Sequence, residues 1–576
     1  PARCGVTVQM EQNLVSAIKS GKSLPATLIT LHLSRVLGST TDLDALDATA
    51  YAIQHILKVY GQPATKTKQG NGTQPSGSEG NILWNELPEE VQGVVRPLLK
   101  SKYQLTSKGP DNVPIPIFGV HGLNYERWLL LWMRHLVSCI PQEHQLKQLF
   151  EACAGMLKYD LSTMLFLLPH LVLVVITSGS SEANENVKTE LNAAMSWQHT
   201  PGSTFGGDRS ISSLSLQTIF SLLDQLGDWL EYTKQNPESL QSASTSMMLS
   251  ASPNPSSMTE KVTQLLDAIP QVSLARAAYH NGAHARALKH YEVHLRNESC
   301  HGLNPPSFQN KFDIDDNDLS FLIDAYSHLE EPDGLGGLIK LRKERRLMDK
   351  TLLAEKSGNW TEVLAIYEES LQQQSKPLTF DDNHRGYLRC LINMGHHQAL
   401  ITHITGLDSQ FQDASVSAQF SSYAVSAAMR LGNWDLLTKY VDQLSSSSPS
   451  TPAVHSNEDQ EFDVQVARLL LELPSEDPAS FNAKLEAAKL DLLGLLSAAS
   501  MESYLRAYPV LTRLHILQEV EQAYTFISER LNDHDCGLNQ KDRCLDLKYL
   551  EENICWKERL ARTQPNLLTR EPILAV

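Results

Sequence analysis

The chain is poor in several things that would have announced a chemistry. It has 8 cysteines in 576 residues, and none sits in a CxxC pair. That excludes a disulfide framework and fits a reducing compartment. It has no surplus of positive charge: 49 Lys and Arg stand against 66 Asp and Glu, a formal net charge of −17. A surface of that sign does not neutralise phosphates, so direct nucleic-acid binding is not expected. It also lacks an uninterrupted span of the ~20 apolar residues that a membrane crossing needs. The nearest approach, Leu161 to Gly179, is interrupted by Pro169 and His170 and reads as a buried helix pair with a proline-marked break. No membrane is expected. Strand-length alternation of Val, Ile and Thr is scarce as well, which leaves helix as the default.

Helical periodicity is abundant. Leu28, Ile29, Leu31, Leu33, Val36 and Leu37 recur at three-to-four spacing, as do Leu46, Ala50, Ile53, Ile56 and Leu57. A third run carries Ile219, Leu222, Leu223, Leu226 and Leu230. The fold class is therefore all-α. Four polar stretches rich in Gly, Ser and Pro, at 61–82, 177–211, 238–258 and 445–460, read as loops or insertions without a buried face.

A spaced pattern gives the architecture. Gly282, Gly358, Gly395 and Gly432 are each followed at +5 by Ala287, Val363, Leu400 or Leu437. At +9 stand Tyr291, Tyr367, Ile404 and Val441. Glycine allows the tight turn that ends one helix, and the +5 and +9 residues start the buried stripe of the next. The spacing from 358 to 395 to 432 is 37 and 37. That is close to the roughly 34-residue tetratricopeptide unit, so the chain reads as an α-solenoid of helical hairpins. A solenoid also suits the stretch from Val120 to Pro141, whose Trp128 and Trp132 share one face while Leu129 and Met133 fill the adjacent one.

Reactive constellations are weak. The i,i+4 pairs His280/His284 and His290/His294 have no carboxylate or cysteine at ligand spacing. Asp533, His534, Asp535 and Cys536 form a polar cluster with little to recommend it as a metal site. Asp313 to Asp318 lacks the glycine and the glutamate of a calcium loop, and reads as an acidic start to a helix near Leu319. Asp333 to Leu338 (DGLGGL) has no phosphate-loop lysine and reads as an inter-helix turn. Lys340 to Lys350, the most basic stretch, reads as a solvated helix face, with a local contact to an anion or acidic partner as the alternative. Gly207-Asp208-Arg209 lies in a polar loop and continues with Ser210, and no Asp-Phe-Gly occurs, so phosphoryl transfer is not expected of this chain. No catalytic, cofactor-binding or metal residue is assigned.

Several segments nevertheless resemble one family. They are 51–61 (YAIQHILKVYG), 83–103 (WNELPEEVQGVVRPLLKSKY after Leu83), HGLNYERWLLLWMRHL, ARAAYHNGAHARALKHYE, EEPDGLGGL, LGNWDLL, RLHILQEVE and REPILA. These are similar to the helical regions of the phosphoinositide-3-kinase-like protein kinases, and within them to the branch of DNA-damage and replication-stress checkpoints. The resemblance implies that 1–82 is the end of a HEAT-like helical array with a linker, and that 83–576 is a FAT-type solenoid of tetratricopeptide-like hairpins. The latter would carry insertions near 177–211, 238–258 and 445–460, and a kinase domain is expected after 576.

It implies a nuclear serine/threonine kinase acting on Ser/Thr-Gln sites, of which this chain is the non-catalytic scaffold. The implied partners are the protein's own kinase domain, a dedicated interacting protein and a second copy of itself. ATP and magnesium would belong to the kinase domain alone. A free-standing peptide-binding adaptor of the tetratricopeptide type is the competing expectation.

Overall fold

In a computed structural model of the chain, the described residues are 14–15, 23–60, 82–100, 103, 114–118, 124–196, 206–236, 255–299, 314–329, 331–342, 347–373, 382–410, 414–446, 458–473, 478–500, 504–532, 556–563, 565, 570 and 573. Among them every regular element is a helix. The chain divides into two compact units, one of 1–198 with 211–281 and the other of 199–210 with 282–576.

The first unit opens with α1 (Leu24–Leu28), a π turn (Ile29–Leu33) and α2 (Ser34–Ser39), then α3 (Leu43–Tyr60), α4 (Ile82–Glu86) and α5 (Glu89–Val95). It continues with α6 (Tyr125–Cys139), α7 (Lys147–Cys153), α8 (Leu161–Ser178), α9 (Ser181–Ser196), α10 (Gly206–Gln235), α11 (Pro255–Asp267) and α12 (Gln271–His280). Its centre is α8, in which fourteen of eighteen residues are buried. By length and composition α8 could cross a membrane, yet protein covers it from Phe166 to Thr177.

Here the expected proline break is corrected: the helix runs unbroken through Pro169. Its ends are held from outside. The Asp160 carboxylate accepts from the Thr163 N–H (3.0 Å) at one end, and Lys261 donates to the Thr177 carbonyl (2.7 Å) at the other. The expectation of a loop across 177–211 is also corrected, since α9 occupies Ser181–Ser196 and buries Ala183, Val187, Leu191 and Ala194 at helical spacing. The Gly207-Asp208-Arg209 triplet lies inside α10, not in a loop.

The second unit holds α13 (His284–Ser299), α14 (Asp316–Ser327), α15 (Pro332–Leu341), α16 (Leu347–Lys356), α17 (Trp360–Gln373), α18 (Asp382–Asn393), α19 (His397–Gln410), α20 (Ala414–Arg430) and α21 (Trp434–Ser446). Then come α22 (Glu458–Glu472), α23 (Pro478–Ser500), α24 (Tyr504–Asn532) and α25 (Trp556–Arg562). The glycine pattern is what organises it. Gly282, Gly358, Gly395 and Gly432 have φ of 73°, 73°, 72° and 63°, the left-handed region in which only glycine is at ease.

At three of the four the turn closes the same way. The Gly358, Gly395 and Gly432 N–H groups donate to Glu355, Ile392 and Met429, while Asn359, His396 and Asn433 donate to Ala354, Leu391 and Ala428. This is the double bond of a helix C-terminus reversing into the next helix. The +5 residues Ala287, Val363, Leu400 and Leu437 are all buried, as are Tyr291, Ile404 and Val441 at +9, with Tyr367 half-buried.

A Cβ added at Gly395 would meet no atom within 4 Å, so the cost of a side chain there is the backbone alone. Gly395→Ala is therefore expected to cost ~1–2 kcal/mol, and Gly395→Asn, which tolerates the left-handed region, clearly less. Urea unfolding of the two variants beside the parent chain checks the order.

Two further expectations are corrected by this unit. DGLGGL is helix, not turn. Leu335 and Ile339 are buried in α15, and a Cβ on Gly334 would stand 2.6 Å from the Tyr326 ring, so the glycine marks a close helix approach. The basic stretch 340–350 is not one solvated face either. Helix α15 stops at Leu341, the Arg342 backbone is extended (ψ 131°), and the Arg342 side chain is buried.

Candidate functional site

Among the described residues, three buried polar nodes and one repeated interface hold chemistry-bearing side chains in fixed geometry between helices. The first node explains the apolar helix at 120–141. In α6, Trp128 stacks on Trp132 (centroids 5.4 Å apart) and meets Phe118 edge-on (5.3 Å). The buried indole needs an acceptor, which Glu190 of α9 supplies: Trp128 Nε1 donates to Oε1 at 2.7 Å. The same carboxylate accepts the Ile117 N–H (2.7 Å) and the Phe118 N–H (2.9 Å), pinning the 114–118 segment to both helices. Glu190 is only 1% exposed, and all its ligands come from this chain. Sequence reasoning placed Glu190 in a loop. The stripe of Ala183, Val187, Leu191 and Ala194 was the available signal.

The second node is Arg342. It donates to both oxygens of Asp349 (2.7 and 2.9 Å), to Asp316 (3.2 Å) and to Ser320 (2.5 Å), joining α14, the end of α15 and α16. Asp316 and Asp318 do stand in the first turn of α14, as expected, although the helix begins at Asp316, before Leu319.

The third node is Glu355 at the end of α16. It accepts Arg389 of α18 through both oxygens (2.7 and 2.9 Å) and the Tyr367 hydroxyl of α17 (2.9 Å). The Tyr367 ring reaches it by crossing α18 at Gly386, where a Cβ would lie 2.2 Å from the ring. Burial, reinforced by the Glu355 charge, pushes the Tyr367 hydroxyl well above its ordinary range.

The Glu355–Arg389 bond is one rung of a series. Arg385 donates to Gln419 (2.9 Å), Ser422 to Gln460 (3.4 Å) and Ser426 to Asp463 (2.6 Å). These rungs join α16 to α18, α18 to α20, and α20 to α22, the first helices of successive hairpins. They span 34, 34, 38 and 37 residues, about one repeat each. In a peptide-binding array these helices would turn their polar side chains to a ligand. Here those side chains bond to one another.

Nothing among the nodes activates a nucleophile. Burial pushes the Cys153 thiol up to about 12 and the Cys390 thiol up to about 11, so both are packed, protonated sulfurs. His284 stacks on His328 (4.3 Å, 16° between planes), and His294 lies edge-on to Tyr291 (5.9 Å). Among the described residues, no group of three or more His, Cys, Asp or Glu side chains comes together to hold a metal. The cluster Asp533 to Cys536 lies outside the described residues.

Helical hairpins joined in register by intramolecular rungs define an α-solenoid scaffold. Comparison with known proteins specifies which. Residues 111–353 match the M-HEAT region of serine/threonine-protein kinase ATR, and residues 421–576 match the FAT domain. Serine/threonine-protein kinase ATR of Oryza sativa subsp. indica is 33% identical over 566 residues, covering 95% of this chain and 20% of its own length. That of Arabidopsis thaliana is 32% identical over 587 residues (95% and 21%). Protein kinase rad3 of Schizosaccharomyces pombe (strain 972 / ATCC 24843) is 23% identical over 491 residues (83% and 19%). The chain belongs to the ATR-type kinases as a non-kinase helical region, and it spans about a fifth of the length of the relatives it matches.

Proposed function

We propose that this helical region supports and regulates the kinase domain of an ATR-type checkpoint kinase, holding it through contacts rather than taking part in phosphoryl transfer. The observation that carries the reading is the set of rungs between successive hairpins: a solenoid bonded to itself in register behaves as a stiff spring on which another domain can be seated. The protein containing it would phosphorylate Ser/Thr-Gln sites using ATP and magnesium held in its kinase domain. It would act in the nucleus in DNA-damage and replication-stress signalling. Its partners would be that kinase domain, an ATR-interacting protein and a second copy of the same chain. No cofactor, nucleic acid or membrane is assigned to the helical region itself, in keeping with its −17 charge and its internally engaged polar groups.

The test is direct. The purified chain, given Mg-ATP and a Ser-Gln peptide, is expected to yield no phosphopeptide, and it should bind an ATR-type kinase domain added in trans. Turnover by the chain alone would overturn the reading. So would high-affinity capture of short peptides without any affinity for a kinase domain, the behaviour of a free-standing adaptor.

A further inference from the structure

The hairpins of the second unit are not equally built. In α18 and α19, Leu388, Leu391, Leu400, Ile401, Ile404 and Leu407 are buried, and they belong to one continuous cluster with Phe420, Tyr423, Leu437 and Tyr440 of the next hairpin. In the preceding hairpin, α16 with α17, the buried apolar side chains among the described residues are Ala354 and Val363. The cluster they form adds only Cys390 as a further buried member. On its other side, Leu352 and Leu353 reach the small cluster of Leu319, Ile323, Leu335 and Ile339 only as partly buried neighbours.

What this hairpin buries instead is polar. Asp349, Thr351 and Glu355 are all buried. Asp349 is the partner of Arg342 and Glu355 the partner of Arg389, so one charged node fastens each side of the hairpin to its neighbour. Arg342–Asp349 is buried on both sides, whereas in the second pair Glu355 is buried and Arg389 is 42% exposed. Such pairs contribute little net stabilisation relative to apolar packing, because desolvation or solvent screening offsets their attraction, yet a buried carboxylate left without its partner is costly. A hairpin fastened this way holds a defined position while both nodes are intact. When one is lost, what keeps it there is few fully buried apolar side chains and a set of only partly buried ones, Trp360, Leu364 and Tyr367 among them. Its place in the sequence fits the same role. The M-HEAT match ends at residue 353 and the FAT match starts at 421, so the hairpin lies where the first region ends and before the second begins.

We propose that the hairpin from Leu347 to Gln373 is a charge-latched hinge of the second unit. It would open locally, ahead of the hairpins that follow it, when the Glu355–Arg389–Tyr367 node is released. Local opening is drawn from the parts of a fold with the fewest buried apolar contacts, and hydrogen exchange reads it directly.

The experiment is hydrogen–deuterium exchange with mass spectrometry on the full chain. Amides in 347–373 are expected to exchange about tenfold faster than those in 414–446. Glu355→Gln is expected to raise exchange in 347–373 by about tenfold more and to leave 414–446 unchanged. Tyr367→Phe, which removes one hydroxyl from the node, should move the same segment less. Equal protection of the two segments in the parent chain would overturn the hinge, as would an exchange increase spread evenly over both. Should Glu355→Gln fail to fold, Tyr367→Phe is read by the same criteria, and an unchanged 347–373 segment counts against the proposal.

Discussion

Glu190→Leu is expected to be among the most destabilising single substitutions in the first unit, losing roughly 3–5 kcal/mol. The size follows from what is left behind. Leucine fills most of the volume but accepts no hydrogen bond, so the Ile117 and Phe118 N–H groups and the Trp128 indole N–H are stranded together. Ile117 and Trp128 are buried, so water does not replace the lost acceptor. Each orphaned donor costs about 1–3 kcal/mol. Glu190→Gln should lose about half as much, because its one carbonyl oxygen still accepts while its NH2 faces donors. Urea unfolding followed by tryptophan emission is the measurement, since Trp128 and Trp132 sit in the affected stack. A loss below about 1 kcal/mol for Glu190→Leu would mean that the 114–118 segment is held by something other than this carboxylate.

The second large effect is acid sensitivity of the same unit. Burial lowers His170 in α8 to about 4, and burial, helped by the Arg35 charge and opposed by Asp160, lowers His32 to about 4. Both imidazoles are neutral in the folded chain at neutral pH, His32 stacked on Phe166 (4.4 Å) and His170 edge-on to the same ring (5.3 Å). Unfolded, each would titrate near its ordinary 6.5. Between 6.5 and 4 the unfolded chain therefore binds protons that the folded chain refuses.

Stability is thus fully present above about pH 6.5 and is lost progressively as pH falls toward 4. At pH 5 each histidine should remove roughly 2 kcal/mol relative to pH 7.5. Comparing urea midpoints at those two pH values checks the total. His170→Met, similar in size and without a titrating group, should flatten the dependence by about one proton. An unchanged slope in that variant would place the acid sensitivity elsewhere.

What the sequence made legible was whatever is written in backbone geometry. A left-handed turn admits glycine almost alone, so four glycines with a buried stripe behind them could be read at sight, and each has the positive φ that the pattern requires. What it hid was glycine used for another purpose, and charge used as packing. Gly334 in α15 and Gly386 in α18 let tyrosine rings lie against a helix, and nothing in the local residues distinguishes that from a turn. Glu190, Arg342 and Glu355 are charged residues at buried positions; the stretches of the first two read as loop and as solvent-facing, and Glu355 drew no reading at all. Their partners are 62 to 73 residues away for Glu190 and 34 for the Glu355–Arg389 pair, beyond any window of local pattern. Pro169 misled in the opposite sense, because α8 continues through it under the cover of its neighbours.

The rungs between first helices also say where this molecule can change length. Each rung joins residues one repeat apart and depends on both hairpins keeping their helical phase. Inserting one residue within α18 would turn everything after it by about 100°. Arg385 or Arg389 would then face away from its partner, and a whole interface would be lost for a single codon. The same residue added outside the helices leaves every phase intact and adds only slowly growing loop-closure entropy. Insertions and deletions among homologues should therefore fall in the connectors between hairpins, with helix lengths held constant and the Gly-to-Gly interval changing only by what a connector gains or loses.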